Sequence, residues 1–338
     1  MGGKMNKPNI FAIATKELSQ DAFIAWLLQW ADEKYKNVDE GLYFVGQSFV
    51  RYLINTKFDV GDFEVGSVEA GRQWSNIDIW ADINEKYFII IEDKTETFEH
   101  DNQLERYERM VSEYYGSSRL LVPVYIKTGL EDNNIKKSII EKGWTYCDRS
   151  SLLKFLLQYE TSNDIYNDFV SCLKQKEEES NSFTWYEKLN SWEATKGLFI
   201  WLQSNLSEWT EWGYVPNQSG GFLGFWFHFV CCTENSDRQF YLQIENNCDN
   251  KCSLFIKLCG EWDHTTDYLY DKLSFIKQIE NKYDLTSMKP SRYRPGEYTS
   301  VATIKDVFVS KVGKLDLDNL LTKIRKAMLL VDELAKNS

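Results

Sequence analysis

The sequence lacks the long apolar stretch that a transmembrane helix requires. No run of about eighteen or more apolar residues occurs in its 338 residues, so no membrane span is expected. Its start also lacks a positively charged segment followed by an apolar core, and no secretory signal is expected. These two absences predict a cytoplasmic protein without membrane partners.

Cysteine and histidine are too few and too irregularly spaced to indicate a disulfide framework or a structural metal. The chain has seven Cys and three His. The odd number of Cys without framework spacing favours reduced thiols in a cytosolic protein. Cys248 and Cys252 in the stretch CDNKC come nearest to a zinc motif, but no second pair follows at ligand spacing. We therefore expect no zinc site.

Positive charge is in deficit, and this argues against one broad class of nucleic-acid binding. Lys and Arg number 39 against 51 Asp and Glu, which gives a net charge of −12. A chain of this charge does not hold nucleic acid by a broad, non-specific electrostatic surface. A local groove stays compatible with it, especially where bound cations neutralise clustered carboxylates.

Apolar periodicity predicts an α/β domain in the N-terminal half. Phe23, Trp26, Leu27 and Trp30 recur at helical spacing. After position 75, strand-like segments alternate with helical ones. The continuous apolar runs YFIII and RLLVPVYI are typical of strands that are covered on both faces. This order predicts an α/β sandwich in which at least part of the sheet is parallel.

A charge run at 174–179, followed by Ser and Asn, indicates a domain boundary. We expect an N-terminal domain over residues 1–175 and a C-terminal domain over residues 182–338. Helical segments and successive strands in the second half predict an α+β module with an antiparallel sheet. Its role is open, with substrate or partner binding as the options.

The strand KYFIIIEDK ends abruptly in charge. Because alternate strand residues share a face, Glu92 and Lys94 project together and Asp93 projects the other way. If this strand pairs with NIDIWADI as an antiparallel hairpin, Asp78 lies near Glu92 and Lys94. Two carboxylates at a buried sheet end repel each other unless they are compensated. Lys94 offsets one charge, and a divalent cation such as Mg²⁺ or Mn²⁺ would offset the rest.

Asp78 and the sequence Glu92-x-Lys94 resemble the motif of the PD-(D/E)xK nuclease superfamily, whose core is the restriction-endonuclease-like α/β/α sandwich with a mixed central sheet. Downstream, Gln103 and Tyr107 share a helical face and are similar to the Gln-x-x-x-Tyr feature of a bacterial branch. The resemblance covers roughly residues 9–130. Its most specific part is the order of an acidic first helix, IDIW, IIIEDK and DNQLERY.

The resemblance implies a metal-dependent nuclease that hydrolyses DNA, with RNA as the other nucleic acid. Asp78 and Glu92 would hold one or two Mg²⁺ or Mn²⁺ ions, joined by an acid of the first helix, Glu17 before Asp21. Lys94 would orient or help deprotonate the attacking water, and its burial predicts a lowered pKa that suits a base.

Gln103 and Tyr107 would position metal-bound groups or the scissile phosphate. Ile77 stands where the motif has its proline, and no chemistry depends on that proline. Glu69 and Arg72, in the preceding strand, are expected to be exposed. Many nucleases of this kind pair their subunits to cut two strands, so a homodimer is among the expected assemblies.

Two functions of other classes fit parts of the sequence. A nuclease-like fold retained as a binding or scaffolding module without catalysis would suit the acidic charge and the aromatic C-terminal half. A carboxylate-pair hydrolase acting on a sugar is weaker, because Lys94 stands beside the pair and no extracellular signal is present.

Two stretches of the C-terminal half could contact nucleic acid. WTEWGYVPNQSGGFLGFWFHF could offer faces for base stacking, although core packing around a hairpin turn fits it better. KPSRYRPGEY contains Lys289, Arg292 and Arg294, the best local basic patch of the chain. We expect this patch to contact a phosphate, on weaker grounds than those for the site at Asp78, Glu92 and Lys94.

Overall fold

The structure is a computed structural model that describes residues 8–61, 63–97, 102–217, 220–246 and 252–338. The chain divides into two compact units, residues 1–178 and 179–338, and each is described by itself. Within the described ranges, no helix combines the length and the apolar character that a membrane crossing needs.

The first unit is built from a five-stranded sheet and helices on both of its faces. Its elements in chain order are α1 (Ile10–Ile13), α2 (Glu17–Gln29), α3 (Glu40–Asn55), β1 (Val68–Trp74), β2 (Ile77–Ile83), β3 (Tyr87–Lys94), α4 (Gln103–Tyr115), β4 (Leu120–Lys127), α5 (Asn133–Glu141), β5 (Thr145–Asp148), α6 (Arg149–Leu156) and α7 (Asp164–Asn181), the last of which ends three residues past the unit boundary.

The sheet of the first unit is mixed, with the strand order β1–β2–β3–β4–β5. The first three strands pair antiparallel, and β3, β4 and β5 pair parallel. A tight turn joins β2 to β3, where Asn84 and Glu85 have φ of 54° and 51°. The mixed sheet with helical layers confirms the α/β sandwich that the sequence predicted.

Strand β3 is buried along its whole length because helices cover both of its faces. Tyr87, Ile89 and Ile91 belong to the apolar cluster formed with α2, α3 and α6. Phe88 and Ile90 belong to a second cluster formed with α4 and α5. Each such side chain contributes about 1.5–3 kcal/mol by its burial. This packing holds the charged end of the strand in a fixed place.

The second unit is an α+β module. Its elements, after the end of α7, are α8 (Trp192–Asn205), β6 (Thr210–Val215), β7 (Phe222–Cys231), β8 (Arg238–Asn246), β9 (Ser253–Gly260), α9 (Thr266–Ile279), β10 (Ser287–Met288), β11 (Thr299–Ile304), β12 (Ser310–Lys311), β13 (Lys314–Leu315) and α10 (Leu317–Lys336). Strands β6 to β11 form one antiparallel sheet, in the order β10–β11–β9–β8–β7–β6. This confirms the predicted class, although the two-residue strands were not foreseen.

The aromatic stretch of the second unit forms the hairpin β6–β7. Phe225 and Phe227 are fully buried, and Phe199 of α8 packs on Phe225 with ring centroids 5.2 Å apart. The indole of Trp226 lies on the other side of the strand and donates a hydrogen bond to Glu211 at 3.2 Å. Trp212, Phe225 and Phe227 therefore serve the core, as the sequence indicated, whereas Trp209, Tyr214 and Phe229 of the same stretch are exposed.

Candidate functional site

Three of the predicted site residues meet at the end of the β2–β3 hairpin. Ile79 pairs with Ile91, so the next residues outward, Asp78 and Glu92, face each other. Lys94 Nζ lies 3.9 Å from Asp78 Oδ2 and forms a close ion pair with Glu92 Oε1. Asp78 Oδ2 also accepts a hydrogen bond from the backbone N–H of Asp93 at 3.2 Å. The hairpin thus brings two carboxylates and an ammonium together.

Glu92 is fully buried, and its carboxylate is short of partners. Neither of its oxygens accepts a hydrogen bond from the residues that the structure describes, and its contact is the ion pair with Lys94. Burial raises the pKa of Glu92 to about 8, the charge of Asp78 acts in the same direction, and Lys94 opposes both. A buried carboxyl with two unsatisfied oxygens is a strained arrangement that a cation would relieve.

Lys94 does not have the lowered pKa that its burial led us to expect. Burial alone would lower the pKa of Lys94, but the carboxylates of Glu92, Asp78 and Glu17 raise it overall. The side chain is therefore a fixed ammonium in this arrangement. It suits charge stabilisation and orientation of a water better than proton abstraction.

Glu17 stands at the start of α2, where a negative charge is favourable to the helix dipole. Its Oε1 accepts hydrogen bonds from the backbone N–H of Thr95 at 2.9 Å and from the hydroxyl of Thr97. Burial alone would raise the pKa of Glu17, but these donors and the charge of Lys94 lower it overall. Glu17 thus presents an ionised carboxylate beside the end of β3.

One turn along α2, on the same helix face as Glu17, a second acidic group meets the sheet. The Gln20 amide donates to Asp93 Oδ1 at 2.5 Å, and Asp21 pairs with Arg72 at 3.1 Å. Asp21 and Asp93 are both buried and adjacent, and desolvation and their mutual contact raise the pKa of Asp93 well above its usual value. Burial likewise raises the pKa of Asp21. Asp21 is therefore engaged with Asp93 and Arg72, whereas Glu17 is held by Thr95 and Thr97 beside the end of β3.

Sequence reasoning had assigned no function to Asp93. The sequence does indicate the side chains near Asp93, because Glu17, Gln20 and Asp21 are spaced so that they share one face of α2. Arg72 is half-buried by its ion pair with Asp21, so its expected exposure was wrong, whereas Glu69 is exposed.

Gln103 and Tyr107 approach the site from α4. The Gln103 amide donates to the Tyr107 hydroxyl at 2.5 Å, and that hydroxyl donates to the carbonyl of Asn76 at 2.5 Å. Burial raises the pKa of Tyr107, and the charges of Glu92 and Asp78 reinforce the shift. The pair therefore lies within electrostatic reach of both carboxylates, next to the strand that carries Asp78.

An open cleft of about 440 Å³ lies against these groups. Among its lining residues are Glu17, Asp21, Asp78, Asp93 and Thr97. Clefts of about 530 and 560 Å³ lie elsewhere in the first unit, beside residue 84 and beside residue 51. We place the site at the smaller cleft, because the converging carboxylates are there.

The acids of this cleft are not arranged as a preformed metal cage. Among the described residues, no group of three or more His, Cys, Asp or Glu side chains is placed to hold a metal ion. The donor chemistry nevertheless fits a hard cation, since Glu92, Asp93 and Asp21 have buried carboxylate oxygens without hydrogen-bond partners among those residues. Asp78 and Glu17 supply further oxygen donors at the same edge.

Comparison with known protein families indicates what the carboxylates at the end of the β2–β3 hairpin belong to. A family model described as the PD-(D/E)XK nuclease superfamily matches residues 8–192, more than half of the 338 residues. The chain belongs to the PD-(D/E)XK nuclease superfamily. Neither the curated proteins nor the solved structures gave a match. A nuclease fold and a nucleic-acid substrate follow from membership.

The remaining predicted site residues lie in the second unit, beyond the range that matches the PD-(D/E)XK family. Lys289 Nζ lies 4.6 Å and 4.9 Å from the ring centroids of Tyr270 and Tyr293. Arg292 and Arg294 are exposed, and no ion pair of theirs is found among the described residues. The basic patch therefore presents two free guanidinium groups, while the ammonium of Lys289 is held by aromatic rings.

The cysteines of this PD-(D/E)XK family member form no disulfide among the described residues. Cys147, Cys172, Cys231, Cys232, Cys252 and Cys259 are free thiols. Cys248, the other half of the CDNKC stretch, lies outside the described residues.

The raised pKa of Glu92 predicts a pH dependence of stability for the metal-free protein. The carboxyl has a usual pKa of 4.5 and a folded value of about 8. Between these values the folded state binds a proton that the unfolded state has lost, so the free energy of unfolding falls as the pH rises. Melting temperature in the presence of a chelator should therefore fall between about pH 5 and pH 8.

Glu92→Gln removes the titrating group and should flatten this fall, so its advantage over the parent grows from pH 5 to pH 8. Glu178→Gln, on the exposed face of α7, is the control and should follow the parent at each pH. Equal slopes for the parent and Glu92→Gln would contradict the assignment.

Proposed function

We propose that this chain is a divalent-cation-dependent nuclease that hydrolyses phosphodiester bonds of DNA. The observation that carries the proposal is the convergence of Asp78, Glu92 and Lys94 at the end of one hairpin, beside an open cleft. Asp78, Glu92 and Glu17 would hold Mg²⁺ or Mn²⁺, because hard carboxylate oxygens are the ligands that these cations prefer. A bound cation of this kind would polarise the scissile phosphate and lower the pKa of a coordinated water.

The protein's own groups would act on charge and position. The ammonium of Lys94, fixed between Glu92 and Asp78, would stabilise the negative charge that develops on the phosphate oxygens. The backbone N–H of Asp93 holds the carboxylate of Asp78 in place. Tyr107 and Gln103 would position the substrate strand or the groups around Asp78, since their hydroxyl–amide pair is tied to the carbonyl of Asn76.

The direct test uses the purified full chain, supercoiled plasmid and millimolar Mg²⁺ or Mn²⁺. We expect nicked and linear products with cation and none with chelator. A parallel reaction with single-stranded RNA distinguishes the substrate class. Cleavage that persists in chelator, or no cleavage of either nucleic acid with either cation, would contradict the proposal.

A nuclease fold without catalysis is the second candidate, and a specific observation favours it. Lys94 closes tightly on the buried Glu92, and the described acids form no three-ligand group. Both features are expected of a nuclease fold that no longer binds a cation. Calorimetric titration with Mn²⁺ separates the two, because a scaffold should show no heat of binding at millimolar cation, whereas the nuclease should show binding.

The two exposed guanidinium groups of the second unit are proposed to contact DNA phosphates. On an Asp78→Asn background, which keeps the DNA intact, Arg292→Ala/Arg294→Ala should weaken binding. Because each phosphate contact adds about 0.9 to the slope of log affinity against log salt, the slope should become shallower by about 2. Fluorescence anisotropy over a salt series measures it.

Arg325→Ala, which removes an exposed charge of α10 in the same unit, is the matched control and should leave the slope unchanged. An unchanged slope in the double variant would remove the patch from the proposal. Homodimer formation and a cytoplasmic location stay predictions from the sequence.

A further inference from the structure

The segment Thr95–Thr97, which follows β3 directly, holds the carboxylate of Glu17. The backbone N–H of Thr95 and the hydroxyl of Thr97 both donate to Glu17 Oε1. Glu17 starts α2, so this segment decides where the acid of the first helix lies relative to Asp78 and Glu92. We call it the post-strand segment.

Lys127 forms a second contact with the post-strand segment, through a different group of Thr97. It is the last residue of β4 and pairs with Lys94 in the parallel ladder. Its Nζ donates to the carbonyl of Thr97 at 2.5 Å. One threonine is thus bound through its carbonyl to a lysine on the neighbouring strand and through its hydroxyl to Glu17.

The ammonium of Lys127 is buried and supported in a way that a surface lysine is not. Only 1% of Lys127 is exposed, and Glu131 Oε1 lies 3.7 Å from its Nζ. Glu131 itself accepts hydrogen bonds from the hydroxyls of Tyr125 at 3.2 Å and Tyr146 at 2.8 Å. Burying an ion pair is unfavourable unless further hydrogen bonds satisfy it, and this set supplies them. The Thr97 carbonyl lies closer to the ammonium than the Glu131 carboxylate does.

A close backbone approach fixes the other end of the segment. A Cβ at Gly129 would lie 2.0 Å from the carbonyl oxygen of Thr95, a distance that no side chain tolerates. The backbone N–H of Thr128 also donates to the carbonyl of Lys94 at 3.1 Å. The turn after β4 therefore lies flat against the post-strand segment, and glycine is required there.

We propose that Lys127 is a positioning residue for the cation site. Through the Thr97 carbonyl it fixes the post-strand segment, and through the Thr97 hydroxyl that segment fixes the carboxylate of Glu17. The inference rests on the proposed function, because it assigns Glu17 to the cation. It adds a residue on β4, outside the hairpin that carries Asp78 and Glu92, that acts through Thr97.

Calorimetric titration of the full chain with Mn²⁺, without nucleic acid, tests the inference. Thr97→Val removes the hydroxyl from an exposed side chain and should leave the melting temperature within a degree or so, yet weaken Mn²⁺ binding by about 10- to 100-fold, the loss usual for a group that orients a metal ligand. Thr97→Ser keeps the hydroxyl and should bind as the parent does. Lys127→Met should weaken Mn²⁺ binding similarly.

The outcomes separate this inference from the proposed function. Parental Mn²⁺ affinity in both Thr97→Val and folded Lys127→Met would overturn the positioning role and leave the nuclease proposal standing. If Lys127→Met does not fold, the comparison of Thr97→Val with Thr97→Ser decides. If the parent protein binds no Mn²⁺, both proposals are overturned. In that case Glu17→Gln shows the same absence of binding heat as the parent.

Discussion

Asp78→Asn is expected to reduce DNA cleavage by more than about 100-fold, because loss of groups that merely orient a metal ligand already costs about 10- to 100-fold. Asp78 is the one carboxylate of β2 that faces Glu92 and Lys94, and 19% of its side chain is exposed toward solvent. The amide has the same shape and keeps an oxygen that can accept the Asp93 N–H. The fold should therefore hold while the anionic ligand is lost.

Asp82→Asn is the matched control for this variant. Asp82 lies on the same strand and the same face as Asp78, but four residues away, where its two oxygens share the N–H of Arg119 Nε at 2.9 and 3.1 Å. Its loss should leave the initial cleavage rate within about a factor of two, because Asp82 is not among the residues that line the cleft. Cleavage rates are compared at saturating Mg²⁺. Equal losses in the two variants would show that the carboxylates of β2 act through the fold rather than through the site.

Lys94→Met is expected to lower cleavage by about 100- to 1000-fold, the range found when one donor that stabilises transition-state charge is removed. The methionine keeps most of the length of the side chain and removes the ammonium. The variant also leaves Glu92 without its ion-pair partner in a fully buried position. Some loss of stability is therefore expected together with the loss of activity.

A double variant separates these two effects of Lys94. Lys94→Met/Glu92→Gln also replaces the buried carboxyl that Lys94→Met leaves without its partner, so the melting temperature of the double variant should recover relative to the single variant. Its cleavage should stay lost, because both the ammonium and the carboxylate are missing. Recovery of cleavage in the double variant would mean that Lys94 serves only stability. Lys174→Met, in an exposed pair with Glu178, controls for the loss of one lysine.

The central part of the site could be predicted from the sequence because strand geometry is periodic. The apolar run of β3 indicated burial on both faces, and alternation placed Glu92 and Lys94 on one side. The short link through Asn84 and Glu85 suited an antiparallel hairpin, and in such a hairpin Asp78 was expected near Glu92, which is where the structure has it. These steps use local rules, and local rules decide which way a strand residue points.

What the sequence could not provide are contacts between segments that meet only through the tertiary fold. The bond from Lys127 to Thr97 and the packing of Gly129 on Thr95 join loops about 30 residues apart. The direction of the Lys94 pKa was wrong for the same reason. Burial could be inferred from the strand, but the pKa depends on the distances to Glu92, Asp78 and Glu17, which only coordinates give.

In the second unit, the secondary structure could be predicted from the sequence but the function could not. Its helices and long strands followed from periodicity, and the rings of Phe225 and Phe227 are buried in its core rather than offered to a ligand. The loop with Arg292 and Arg294 presents two exposed guanidinium groups. Its function depends on what those two side chains meet, and the salt series addresses that directly.

The measurement that tests the central claim most directly is the anomalous scattering of a crystal of the full chain soaked in Mn²⁺. The account expects a peak at the end of the β2–β3 hairpin, with oxygens of Asp78 and Glu92 at about 2.0–2.2 Å and Lys94 moved aside from Glu92. No anomalous peak at the end of the β2–β3 hairpin after a soak at millimolar Mn²⁺, with Lys94 still paired with Glu92, would contradict the account.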